Sequence, residues 1–115
     1  MLKGIKKIFI LGIDGATFDL ILPWVNQGKL PNLAKLINKS AYGELESTIP
    51  PVTAPAWTSF FTGKNPGKHG MYDFIVPNEE SKALSYLSYE DCESETIWSI
   101  LSEKGKKVCV INIPM

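Results

Sequence analysis

The sequence contains no arginine. Its positive side chains are lysines, 12 in all, balanced by 12 acidic residues. Without a guanidinium the chain has no bidentate clamp for a phosphate. Zero net formal charge argues against the basic surface of a nucleic-acid binder. Cysteine and histidine are scarce too, with only Cys92, Cys109 and His69 present. A closed structural zinc site takes four nitrogen or sulfur ligands at short spacings, and these three are too few and too scattered. Two distant cysteines fit reduced thiols in a cytoplasm. No stretch approaches the roughly 18 apolar residues of a membrane-spanning helix. Lys3, Lys6 and Lys7 ahead of Ile8-Phe9-Ile10-Leu11 superficially resemble a signal peptide. That run meets Asp14 too soon for a signal-peptide core, and no cleavage-like site follows. Asn38-Lys39-Ser40 reads as a chance sequon. The expectation is a cytoplasmic chain that engages neither membrane nor nucleic acid.

What is present is one ordinary domain's worth of chain: 115 residues, 44% apolar and 21% charged. That composition excludes a disordered tail, a collagen-like repeat and a disulfide miniprotein. Residues 7–13 form a nearly continuous apolar run, which predicts a central parallel strand covered on both faces. Phe18, Ile21, Leu22 and Val25 recur at helical spacing, with Pro23 predicting a break. Pro31 opens a second helix whose buried stripe is Leu33, Leu36 and Ile37. Residues 41–48 read as a strand. Pro55 suits the first turn of a helix carrying Trp57, Phe60 and Phe61 on its buried face and stopped by Gly63. Residues 64–81 read as loop, and 83–88 as a short strand. Ser94 is the expected N-cap of a helix bearing Ile97, Trp98 and Leu101 and ended by Gly105. Residues 107–113 read as a second buried strand, with Cys109 a small core residue. This order predicts an α/β fold with a mainly parallel sheet flanked by helices. A central strand at the chain's end would leave one sheet face partly bare, so residues 1–115 are expected to be the N-terminal piece of something larger.

Two positions can carry chemistry. Asp14 directly follows the first apolar strand, and in open α/β sheets ligands bind outside the carboxyl ends of strands. A carboxylate there, beside Gly15, can reach a metal or substrate; equally, Asp-Gly is a common turn pair. Thr53 precedes Ala54-Pro55 and so sits at a helix N-terminus, where amide N–H groups and the helix dipole favour an anion. Its hydroxyl can attack phosphorus, or it can simply cap the helix. Gly12-Ile13-Asp14-Gly15 is not a dinucleotide fingerprint, and Thr62-Gly63-Lys64 is not a P-loop. Trp57, Phe60, Phe61 and Trp98 read as core residues and not as a base-stacking platform. Lys64 and Lys68 read as solvated loop lysines.

Ile10-Leu11-Gly12-Ile13-Asp14-Gly15, then Pro50 to Pro55, then Thr62-Gly63-Lys64-Asn65-Pro66-Gly67-Lys68-His69-Gly70 form a joint pattern. It resembles the type I phosphodiesterase/nucleotide pyrophosphatase family of the alkaline phosphatase superfamily. The resemblance covers essentially the whole chain, with Val108 to Met115 similar to a central strand of that fold. It implies an N-terminal fragment of an alkaline phosphatase-like catalytic domain, with the remainder expected downstream of Met115. It implies two divalent metal ions, zinc or alternatively manganese, a phosphate-ester substrate and a covalent phospho-enzyme. Asp14 matches the family's first metal-binding aspartate, and Thr53 matches its nucleophile, which also bridges to metal. His69 matches a histidine the family does not use as a ligand, and reads as loop-structuring. The family's remaining ligands lie beyond this chain. Many members carry an asparagine three residues after the nucleophile, where it contacts phosphate; here it is Ala56, a departure that bears on nucleotide specificity. Asn112 reads as a turn residue. The implied activity is hydrolysis of phosphodiesters or phosphoanhydrides. The alternatives are a phosphomutase or phosphomonoesterase of the same superfamily, or a catalytically inert fragment or binding module.

Overall fold

Prolines, glycines and hydroxyl caps set where the helices of this chain begin and end. A computed structural model of the protein describes residues 7–78 and 83–114. The chain divides into two compact units, Met1–Leu45 and Glu46–Met115.

The first unit holds helices α1 (Phe18–Asn26) and α2 (Pro31–Ile37). Thr17 is extended and its hydroxyl accepts the Asp19 N–H at 3.3 Å, capping α1. Phe18, Ile21, Leu22 and Val25 are the half-buried stripe of α1, as their spacing predicts. Pro23 lies inside α1 without breaking it. A proline there removes one helical donor, and the helix runs only three residues further. Pro31 is the first residue of α2. Leu33 and Ile37 are half-buried, whereas Leu36 is exposed. Phe18 and Tyr42 meet edge to face, with ring centroids 5.5 Å apart.

The second unit is built around helix α3 (Thr53–Thr62), followed by the single turn α4 (Pro66–His69), strands β1 (Ile75–Pro77) and β2 (Leu84–Tyr86), a 3-10 turn at Tyr89–Asp91, and helix α5 (Ile97–Glu103). Gly63 adopts φ 67° and closes α3, a conformation that favours glycine. Ala54, Pro55, Thr58 and Phe61 are the buried side of α3. Phe61 packs on Trp98 of α5 at 4.7 Å between ring centroids, and Met71 completes the core. Trp57 is half-buried but Phe60 is exposed, so the predicted apolar face is rotated toward Ala54, Thr58 and Phe61. Strands β1 and β2 pair antiparallel, Val76 opposite Ser85. The expected strand at 83–88 is therefore present, while the expected loop at 64–81 contains α4 and β1; its residues 79–81 lie outside the described residues. Helix α5 is capped by Thr96, whose hydroxyl accepts the Ser99 N–H at 3.2 Å, and not by Ser94. The Ser94 hydroxyl is spent on the Lys68 carbonyl at 3.0 Å.

The expected parallel sheet is not seen among the described residues, where β1 and β2 are the only sheet. Residues 7–13, 41–48 and 107–113 are irregular. Phe9 is 88% exposed and Ile111 80%, the reverse of a strand covered on both faces. A buried strand requires neighbours for its N–H and C=O groups as well as apolar covers, and neither unit provides them for these runs. Cys109 is correspondingly exposed and not a core residue. Asn112 adopts φ 54°, a left-handed conformation that asparagine tolerates and that suits turn chemistry.

Candidate active site

Thr53 is the first residue of α3, with extended Val52 before it in the cap position. It is thus one step inside the helix and not the side-chain cap that a routine N-terminal threonine would be. It is half-buried, between exposed Val52 and fully buried Ala54. The first turn offers fewer amides than a standard helix start. Pro55 has no N–H, and the Ala56 N–H is taken by the Val52 carbonyl at 3.1 Å. Pro55 at the third helical position therefore removes one of the amides that a helix start ordinarily turns toward an anion. Ala56 is half-buried and brings only a methyl group to this end of the helix.

Asp14 lies in the other unit, exposed in a tight turn ahead of α1. The Ala16 N–H closes the turn on the Ile13 carbonyl at 3.4 Å, and Gly15 adopts φ 67°. A positive φ at that position is what a type II turn requires of its third residue. The turn reading of Asp14-Gly15 therefore holds, and it presents the carboxylate at the surface.

His69 is fully buried at the end of α4. Its Nδ1 accepts the Met71 N–H at 3.1 Å. Nδ1 therefore carries no proton, and in the neutral ring the proton sits on Nε2. Nε2 lies 2.9 Å from Ser59 Oγ, to which it donates. Burial lowers the imidazole pKa from its ordinary 6.5, partly opposed by hydrogen bonding at its own backbone. The His69 carbonyl accepts the Glu93 N–H at 3.1 Å. His69 thus ties α3, the turn after α4 and the segment leading to α5, which agrees with a loop-structuring role. Ser59 as its partner is not legible in the sequence, since no spacing rule links two residues across a helix, a turn and a second helix.

The donor chemistry of Asp14 and Thr53, two oxygens, suits zinc or manganese. Two ligands fall short of the three or four that a zinc site takes. Among the described residues no group of three or more His, Cys, Asp or Glu is placed to hold a metal. No helix among the described residues is long and apolar enough to cross a membrane.

Helices with a small sheet, and a threonine opening the most buried helix, fit an α/β phosphoester hydrolase. The family model for type I phosphodiesterase / nucleotide pyrophosphatase matches residues 8–115, and the chain belongs to that family. Neither a curated protein nor a solved structure matches it.

Proposed function

We propose that the chain forms the nucleophile-bearing part of a metal-dependent hydrolase of phosphodiesters or phosphoanhydrides, with Thr53 as nucleophile. The observation that carries this reading is Thr53 opening α3 inside the stretch matched by the family model. In the proposed reaction the Thr53 Oγ attacks phosphorus and loses its proton to solvent. The bond from phosphorus to the leaving oxygen breaks, and a phosphothreonine ester remains. Water then attacks that ester, the bond from phosphorus to Thr53 Oγ breaks, and the threonine hydroxyl is restored. The N-terminal amides of α3 and its dipole favour the phosphate oxygens during both steps. Metal, when bound, lowers the hydroxyl pKa and shields phosphate charge. Asp14 and Thr53 would be among the ligands of the two divalent ions, zinc or manganese, and the alkaline phosphatase-like parallel sheet belongs to the same proposal. With a methyl at Ala56, nucleotide selectivity does not come from that position. Exposed Cys109 and half-buried Cys92, both free thiols, favour a reducing, cytoplasmic setting.

The test uses full-length protein with bis-p-nitrophenyl phosphate and added zinc or manganese. Turnover is expected in the wild type and none in Thr53→Ala. Wild-type turnover in Thr53→Ala would remove the nucleophile assignment.

A further inference from the structure

Resting on the threonine-nucleophile reading, we propose that Ser59 and His69 form a positioning latch that fixes α3, and with it Thr53, against the α4 turn. Three observations carry it. First, the link is specific in its proton. Because the Met71 N–H occupies Nδ1, His69 in its neutral form has its ring N–H on Nε2, directed at Ser59 Oγ. Second, the link is anchored on both sides. The backbone of Lys68 and His69 receives hydrogen bonds from the Ser94 hydroxyl at 3.0 Å and the Glu93 N–H at 3.1 Å. Gly70 adopts φ 77°, and a Cβ there would press on the Glu93 side chain at 3.3 Å. Third, Ser59 and Thr53 share one helix, six residues or about 9 Å apart along its axis. Along that helix Thr58 donates to the Ala54 carbonyl and Thr62 to the Thr58 carbonyl. A rotation or slide of α3 at Ser59 is therefore felt at Thr53.

The latch also has a defined release. Protonated His69 would carry a second N–H on Nδ1, facing the Met71 N–H, so one of the two must turn away. The charged or titratable residues on the segments that adjoin His69 in the chain or bond to its backbone are Lys68, Tyr72, Asp73, Cys92 and Glu93. Helix α3 carries none, and neither ring nitrogen has a carboxylate partner. His69 is accordingly a positioning residue and not a proton carrier for the reaction.

The experiment compares full-length wild type, Ser59→Ala, Ser59→Thr, His69→Gln and Thr53→Ala on bis-p-nitrophenyl phosphate, with rates normalised to folded protein. Misplacing a reacting group by about an ångström costs on the order of 100-fold in rate. Ser59→Ala is expected to lower kcat by roughly 10- to 100-fold with KM nearly unchanged. Ser59→Thr, which keeps the hydroxyl, should restore most of the rate. The acid limb of the wild-type kcat profile should shift in His69→Gln. Wild-type kcat per folded molecule in both Ser59→Ala and His69→Gln, with Thr53→Ala inactive, overturns the latch alone. Wild-type turnover in Thr53→Ala overturns the nucleophile reading, and the latch's catalytic role falls with it.

Discussion

His69 is the one imidazole of the chain, and its burial makes a stability statement as well as a structural one. Its folded-state pKa is depressed by desolvation, from an ordinary value of 6.5. Above about pH 6.5 both folded and unfolded forms are neutral and the full stability is present. Below it the unfolded chain takes up a proton that the folded chain resists, so stability falls as pH drops through the folded-state pKa. Thermal melts should therefore give a flat Tm from pH 8 to about 6.5 and a decline below it, and His69→Gln should flatten that decline. An unchanged slope in the variant would assign the decline to other groups. Ser59→Ala orphans the Nε2 donor of a fully buried ring, a loss of about 1–3 kcal/mol. Among the described residues, every buried side-chain nitrogen and oxygen has a partner, so this loss has no precedent within the fold.

At the scale of elements, α3 depends on its stop and on its contact with α5. Gly63→Ala forces a side chain into φ 67° and should cost about 1–2 kcal/mol. Phe61→Ala removes the ring that packs on Trp98 and should cost about 3–5 kcal/mol, read from urea midpoints. Thr96→Ala should cost about 1 kcal/mol by uncapping α5. Local signals were what the sequence made legible. Pro31 and Gly63 mark helix ends by their own backbone chemistry, and the Phe18 to Val25 stripe shows in the spacing. Ser94 was the wrong cap because Thr96, two residues on, competes for the same helix start, and only the Lys68 carbonyl decides between them. Whether the apolar runs at 7–13 and 107–113 pair as strands is not legible in pattern alone. An apolar run gives the need for burial, whereas a strand exists only when a partner supplies its hydrogen bonds. The same limit applies to the site. Thr53 was legible as a helix start and Asp14-Gly15 as a turn pair, but the Ser59–His69 pair is a tertiary contact with no signature in spacing.

Over the whole molecule, the buried core lies in the second unit, while the apolar runs at 8–13 and 108–111 face solvent. Contiguous exposed apolar surface of this kind drives association. The 115-residue chain alone should therefore bind a hydrophobic dye and self-associate in a concentration-dependent way, which light scattering would register. It should also bind zinc weakly, since among the described residues no group of three or more His, Cys, Asp or Glu is placed to hold a metal. Stoichiometric submicromolar binding by isothermal titration, lost in Asp14→Ala, would contradict that expectation. In the proposed reaction Thr53 takes up the phosphoryl group. The direct measurement is peptide mass spectrometry of full-length protein quenched in acid during turnover of a phosphodiester. A phosphate ester on Thr53 of the peptide spanning α3 is the expected result. A turning-over enzyme with no such ester, or with the ester on another residue, would contradict it.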